Sequence, residues 1–93
     1  MPGPSVLIVD DDEDSVSVYR RRLEREGCSV DSASTGVEAR RKVGEKRFDL
    51  ALLGYVLSDV PGDRLALELK GIDEGIQVML FSERPEVRYR IFF

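Results

Sequence analysis

Histidine is absent from these 93 residues, and every mechanism that uses imidazole as base, phosphocarrier or metal ligand goes with it. Cysteine occurs once, at Cys28, so no internal disulfide can form. No apolar run approaches the ~20 residues needed to cross a bilayer. The opening MPGPSV has neither the basic nor the long apolar region of a signal peptide, which makes the cytoplasm the expected compartment. Positive charge is in deficit: 14 Lys and Arg stand against 18 Asp and Glu, a net charge of −4. Such a chain offers no basic footprint for nucleic acid.

What is present is the composition of one small globular domain over residues 1–93. Hydrophobic residues make up 42% and charged residues 34%, which is incompatible with disorder. At this length folding buries roughly 60% of the unfolded surface, so the core is thin.

Four short apolar or β-branched runs recur along the chain: VLIV (6–9), CSVDSA (28–33), DLALL (49–53) and IQVMLF (76–81). Three of them are nearly continuous in apolar residues, as strands buried on both faces are. Charged stretches with helical spacing lie between them. Val16, Tyr19 and Leu23 share one face of the first, Val37 and Val43 anchor the second, and Leu65, Ala66 and Leu69 mark the third. Gly27 and Gly71 stand where glycines end helices. Strand and helix alternate three times and finish on a strand, which predicts an α/β domain: a parallel sheet with helices on both faces.

VLIVDDDED carries the most chemical information. Five consecutive acids, Asp10 to Asp14, follow the first strand, at the sheet edge where open α/β folds bind ligands. Two such carboxylates about 4 Å apart repel by roughly 4 kcal/mol at an effective dielectric of 20. A cation relieves that repulsion, and carboxylates with retained waters and a phosphate suit Mg²⁺. Asp10 and Asp11 are the candidate metal ligands. Asp12, Glu13 and Asp14 are read as a helix start, where acids favour the first turn.

With these residues in view, the chain resembles the receiver domain of response regulators, the doubly wound, flavodoxin-like fold of chemotaxis regulators. The resemblance covers residues 5–83. VLIVDDDED is similar to the family's first strand and acidic pair. FDLALLGYVLSDVPGDRLALELK resembles the segment around the phosphoacceptor, with Pro61 and Gly62 before the third helix, and VMLFSE resembles the fourth strand with its terminal hydroxyl, here Ser82. The resemblance implies strand order 2-1-3-4, a switch role for Ser82, and protein partners in two-component signalling.

It also implies an aspartate after DLALL that accepts a phosphoryl group from a histidine kinase. Here that position is Gly54, and glycine supplies no nucleophile. Tyr55 cannot substitute, because adjacent strand residues point to opposite faces. Asp59, in the following turn, reads as a solvated turn acid. Glycine at a strand end also admits a backbone reason, such as a bulge or a close approach. The family's lysine at the end of a fifth strand is missing too, since no lysine follows Lys70. The expectation is a degenerate receiver domain, not an enzyme, with weak or vestigial Mg²⁺ at Asp10 and Asp11 and no required cofactor. A competing resemblance is to haloacid-dehalogenase-type phosphohydrolases, with Asp10 as nucleophile and Asp12 as acid. Those enzymes need a downstream lysine, and none follows Ser82.

The last residues, 84–93, are atypical of the family. Val87, Tyr89 and Ile91 alternate with Arg88 and Arg90, a period of two that predicts a strand in place of the last βα unit. The short connection from the fourth strand rules out a parallel crossover, so this strand folds back antiparallel or pairs with another molecule. Val87, Tyr89, Ile91, Phe92 and Phe93 are the expected interface of a homodimer, with no membrane or nucleic-acid partner.

Overall fold

The computed structural model describes residues 3–81 and, for the backbone alone, residues 89–92. The elements are β1 (Ser5–Val9), α1 (Glu13–Arg25), β2 (Ser29–Ala33), α2 (Gly36–Glu45), β3 (Leu50–Gly54), α3 (Gly62–Ile72), β4 (Gln77–Phe81) and β5 (Tyr89–Phe92). The strands form one sheet in the order β2-β1-β3-β4-β5. Its first four strands are parallel, in register from Val9 to Ala33, from Val9 to Leu53 and from Gly54 to Phe81. β5 returns antiparallel on β4, with Tyr89 opposite Phe81 and Phe92 opposite Val78. The expected order 2-1-3-4 and the folded-back final strand are both found.

Strand alternation divides the buried residues between two layers. Leu7, Val9, Ala51, Leu53, Val78 and Leu80 pack with Ala39 and Val43 of α2 and with Leu65, Ala66 and Leu69 of α3 in one cluster. Val6, Ile8, Leu52 and Phe81, of the opposite parity, are buried outside that cluster. On their side α1 lies over the sheet. Tyr19 meets Phe81 with ring centroids 5.0 Å apart, and the Arg20 guanidinium donates to Val30 O at 3.1 Å and to Ser32 Oγ at 3.1 Å. No residue of α1 is fully buried; Val16, Tyr19 and Leu23 are half-buried on its inner side.

Local chemistry sets the helix ends. Asp12 caps α1, its Oδ1 accepting the Asp14 N–H at 3.1 Å and its Oδ2 the Ser15 hydroxyl at 2.8 Å. At the other end Cys28 N–H donates to Leu23 O and Gly27 N–H to Glu24 O, both at 3.0 Å, with Gly27 at φ 91°. This is a Schellman closure, for which glycine is the suited residue. Thr35 caps α2 through its Oγ1 and the Glu38 N–H at 3.2 Å. Two helical expectations are corrected. Gly71 does not end α3, which runs to Ile72 before the cap at Asp73. Val37 does not anchor α2; it is 61% exposed, because it lies in the first turn while Ala39 and Val43 face the sheet.

Candidate functional site at the carboxyl edge of β1 and β3

The site lies where the chain leaves β1 toward one side of the sheet and β3 toward the other, the switch point at which doubly wound sheets bind ligands. Asp10 follows β1 directly, its N–H donating to Ala33 O at 3.1 Å. Its half-buried carboxylate accepts the Asp12 N–H at 3.0 Å, so the acid that points at the edge also shapes the turn into α1. Burial raises the Asp10 carboxyl above its ordinary pKa; the Asp12 N–H opposes this, and Asp11 and the Asp12 charge add to it. Asp11 is exposed beside it.

Gly54 closes β3 in the adjacent register position. A Cβ on residue 54 would lie 3.4 Å from Asp10 Cγ and 3.5 Å from both Asp10 Oδ2 and Val9 O. These are ordinary contact distances, so a side chain here would point at the Asp10 carboxylate without displacing it. The backbone reading of Gly54 fails. Residue 54 pairs regularly with Phe81, and Gly27, not Gly54, is the glycine with positive φ among the described residues. Tyr55 goes the other way, packing against the cluster beneath α2 and α3, as strand alternation requires.

The loop after Gly54 is tied down at three points. Tyr55 N–H donates to Phe81 O at 3.0 Å, and Gly62 N–H donates to Tyr55 O at 2.9 Å, which sets Val56 opposite Pro61 in an antiparallel bridge. The third tie is Asp59, whose carboxylate accepts the N–H groups of Gly36 and Val37 at the start of α2, at 2.9 and 3.1 Å. Asp59 is exposed, as expected of a turn acid, but it has a structural task that the sequence reading missed. The signal available was its position two residues before Pro61 in a turn; its target, 23 positions earlier, had no local mark.

The structure therefore brings together Asp10, Asp11 and residue 54. Ser82 lies outside the described residues, as do Val87 and Phe93; of Tyr89, Ile91 and Phe92 the backbone alone is described. Among the described residues no three His, Cys, Asp or Glu side chains converge to hold a metal ion. No helix among them is long and apolar enough to cross a membrane.

Residues 6–92 match the response regulator receiver domain family. The chain belongs to that family. This receiver domain is 33% identical over 89 residues to the transcriptional regulatory protein PrrA of Mycobacterium leprae, covering 96% of the chain and 38% of PrrA. It is 35% identical over 81 residues to the alkaline phosphatase synthesis transcriptional regulatory protein PhoP of Bacillus subtilis, covering 87% of the chain and 34% of PhoP. The chain thus spans little more than a third of the curated relatives it matches. Among solved structures, a CheY-like receiver domain protein from Methanospirillum hungatei superimposes with a TM-score of 0.83 at 30% identity, over 87% of this chain and 65% of that one. The two-component receiver fold expected from the motifs is the fold of this protein, and receiver domains are in general not enzymes.

Proposed function

We propose that this receiver domain works without aspartyl phosphorylation, as a protein-interaction module of a two-component pathway in the cytoplasm. The observation that carries the reading is Gly54. The family resemblance places the phosphoacceptor at the end of the third strand, and here that position presents no side chain to Asp10. Phosphoryl transfer needs an oxygen nucleophile in line with the donor, and glycine has none. Asp49 and Asp59, the acids on either side in the sequence, are engaged elsewhere: Asp49 Oδ2 accepts the Ser5 N–H at 2.7 Å, and Asp59 caps α2.

The rest of the scaffold supports a signalling role of another kind. A partner that binds one conformation better than another shifts the population as a phosphate would, so partner binding or abundance becomes the input. Mg²⁺ at Asp10 and Asp11 is weak in this reading. Because Mg²⁺ carries two charges, loss of one carboxylate at about 4 Å removes roughly 8 kcal/mol of gross attraction at an effective dielectric of 20, a loss that solvation moderates. Ser82, the switch hydroxyl of the resemblance, has no phosphoryl group to bind. The partners are proteins, a second copy of the chain among them.

Incubation with acetyl phosphate and Mg²⁺ followed by intact-mass measurement tests the reading. The parent chain is expected to gain no phosphoryl adduct, and Gly54→Asp to gain one. An adduct on a carboxylate of the parent would overturn the proposal.

A further inference from the structure

The outer side of α1 carries a charge pattern that the fold does not use. Successive residues of a helix turn by about 100°, and the inner side is fixed by Tyr19 on Phe81 and Arg20 on β2. Asp14, Val18, Arg21, Arg22 and Arg25 then fall on the opposite stripe. All five are exposed, Val18 to 62%. Val18, Arg21, Arg22, Arg25 and Glu26 line a shallow groove. Among the described residues the side chains of Arg21, Arg22 and Arg25 make no hydrogen bond or ion pair, whereas Arg20, Arg40 and Arg41 do. Three unpaired guanidinium groups on 13 residues of helix contrast with a chain whose net charge is −4.

The stripe is complementary to itself. It is acidic at its N-terminal end, apolar at its middle and basic at its C-terminal end. A two-fold contact requires such a surface, because each residue meets its counterpart across one axis. With an axis through Val18 and two antiparallel helices, Asp14, four residues before Val18, stands level with Arg22 of the second copy, four residues after it; at 1.5 Å rise per residue both lie about 6 Å from the axis. Arg21 and Arg25 then approach the acidic start of the second helix, Asp10 to Asp14, and the two helix dipoles run antiparallel, which is their favourable arrangement.

We infer that a second copy of this chain docks on α1, α1 against α1 and antiparallel, with Val18 at the two-fold axis and Asp14 paired with Arg22 across it. The inference rests on the self-association included in the proposed function and gives it a surface. The contact is small and its ion pairs are exposed, so it belongs to the weak, salt-sensitive class of interfaces.

Light scattering coupled to size exclusion, with the full chain, tests it. The parent is expected to be a dimer at low ionic strength and a monomer in about 1 M salt, where the screening length falls to about 3 Å. Asp14→Arg and Arg22→Asp should each be monomeric at low salt, with the helical circular dichroism of the parent. Mixing the two variants should restore a dimer, since unlike charges then meet at both contacts. If both variants stay dimeric and only truncation after Glu83 yields monomers, the α1 surface is overturned and the C-terminal residues are the interface. A parent that is monomeric throughout overturns self-association itself. Neither result bears on the phosphoryl test above.

Discussion

Asp59 and Gly36 are joined across the carboxyl edge of the sheet: the Asp59 Oδ1 accepts the Gly36 N–H at 2.9 Å while its Oδ2 takes the Val37 N–H at 3.1 Å. One carboxylate thereby holds the loop after Gly54 against the start of α2, where the helix dipole favours negative charge.

The Gly36 N–H foremost, with the Val37 N–H and the Arg40 charge, holds the Asp59 carboxyl below its ordinary pKa, against a smaller opposing effect of desolvation. A group with a depressed folded pKa contributes stability that is present above its unfolded pKa, about 3.9, and lost as pH falls through the lower folded value. Asp59→Ala should therefore lower the midpoint of thermal unfolding at neutral pH. The deficit should shrink as the pH is taken down through the carboxylate range. An unchanged midpoint at pH 7 would remove the clasp.

Gly54 and Gly62 are predicted to respond to alanine in opposite ways. A Cβ at Gly54 meets nothing closer than 3.4 Å, whereas one at Gly62 would collide with the Gly54 carbonyl oxygen and stand 2.8 Å from Leu80 Cδ2 and 2.9 Å from Tyr55 O. Gly54→Ala should stabilise by about 0.4–1 kcal/mol, through the smaller entropy of the unfolded chain. Gly62→Ala should destabilise by about 1–3 kcal/mol, the cost of overpacking a tight site. Urea titrations of the two variants beside the parent decide it, and equal midpoints would contradict the geometry.

Asp10 has the opposite linkage to Asp59. Burial raises its folded pKa, so its ionisation costs stability; the cost sets in as pH rises past the unfolded value and is complete above the folded one. Asp10→Asn should unfold at a higher temperature than the parent at pH 7, and the two should converge in acid. The same substitution should abolish what Mg²⁺ binding the parent shows in an amide-shift titration. An Asp10→Asn chain less stable than the parent at pH 7 would mean that the carboxylate is compensated by contacts other than those described.

The continuous apolar runs VLIV and DLALL marked the strands of a parallel sheet, the acids directly after the first of them placed carboxylates at its edge, and the residue that ends the second is read off as glycine; the strand order came from the family resemblance. Those features are local: strand periodicity, strand polarity and the identity of the residue that ends a strand are written in consecutive residues. The alternation of Tyr89 and Ile91 with arginines likewise marked the final strand, though its pairing with β4 is a matter of which edge lies within reach. Tertiary structure alone decided that residue 54 need not be glycine, since only the placement of Asp10 Cγ and Val9 O shows that a side chain would fit there. It also turned Asp59 from a surface acid into a cap on a helix 23 positions earlier, and it left Val37 exposed although its spacing matched a buried face. Such outcomes depend on what the fold brings near in space, and a contact between distant positions leaves no periodic trace along the chain.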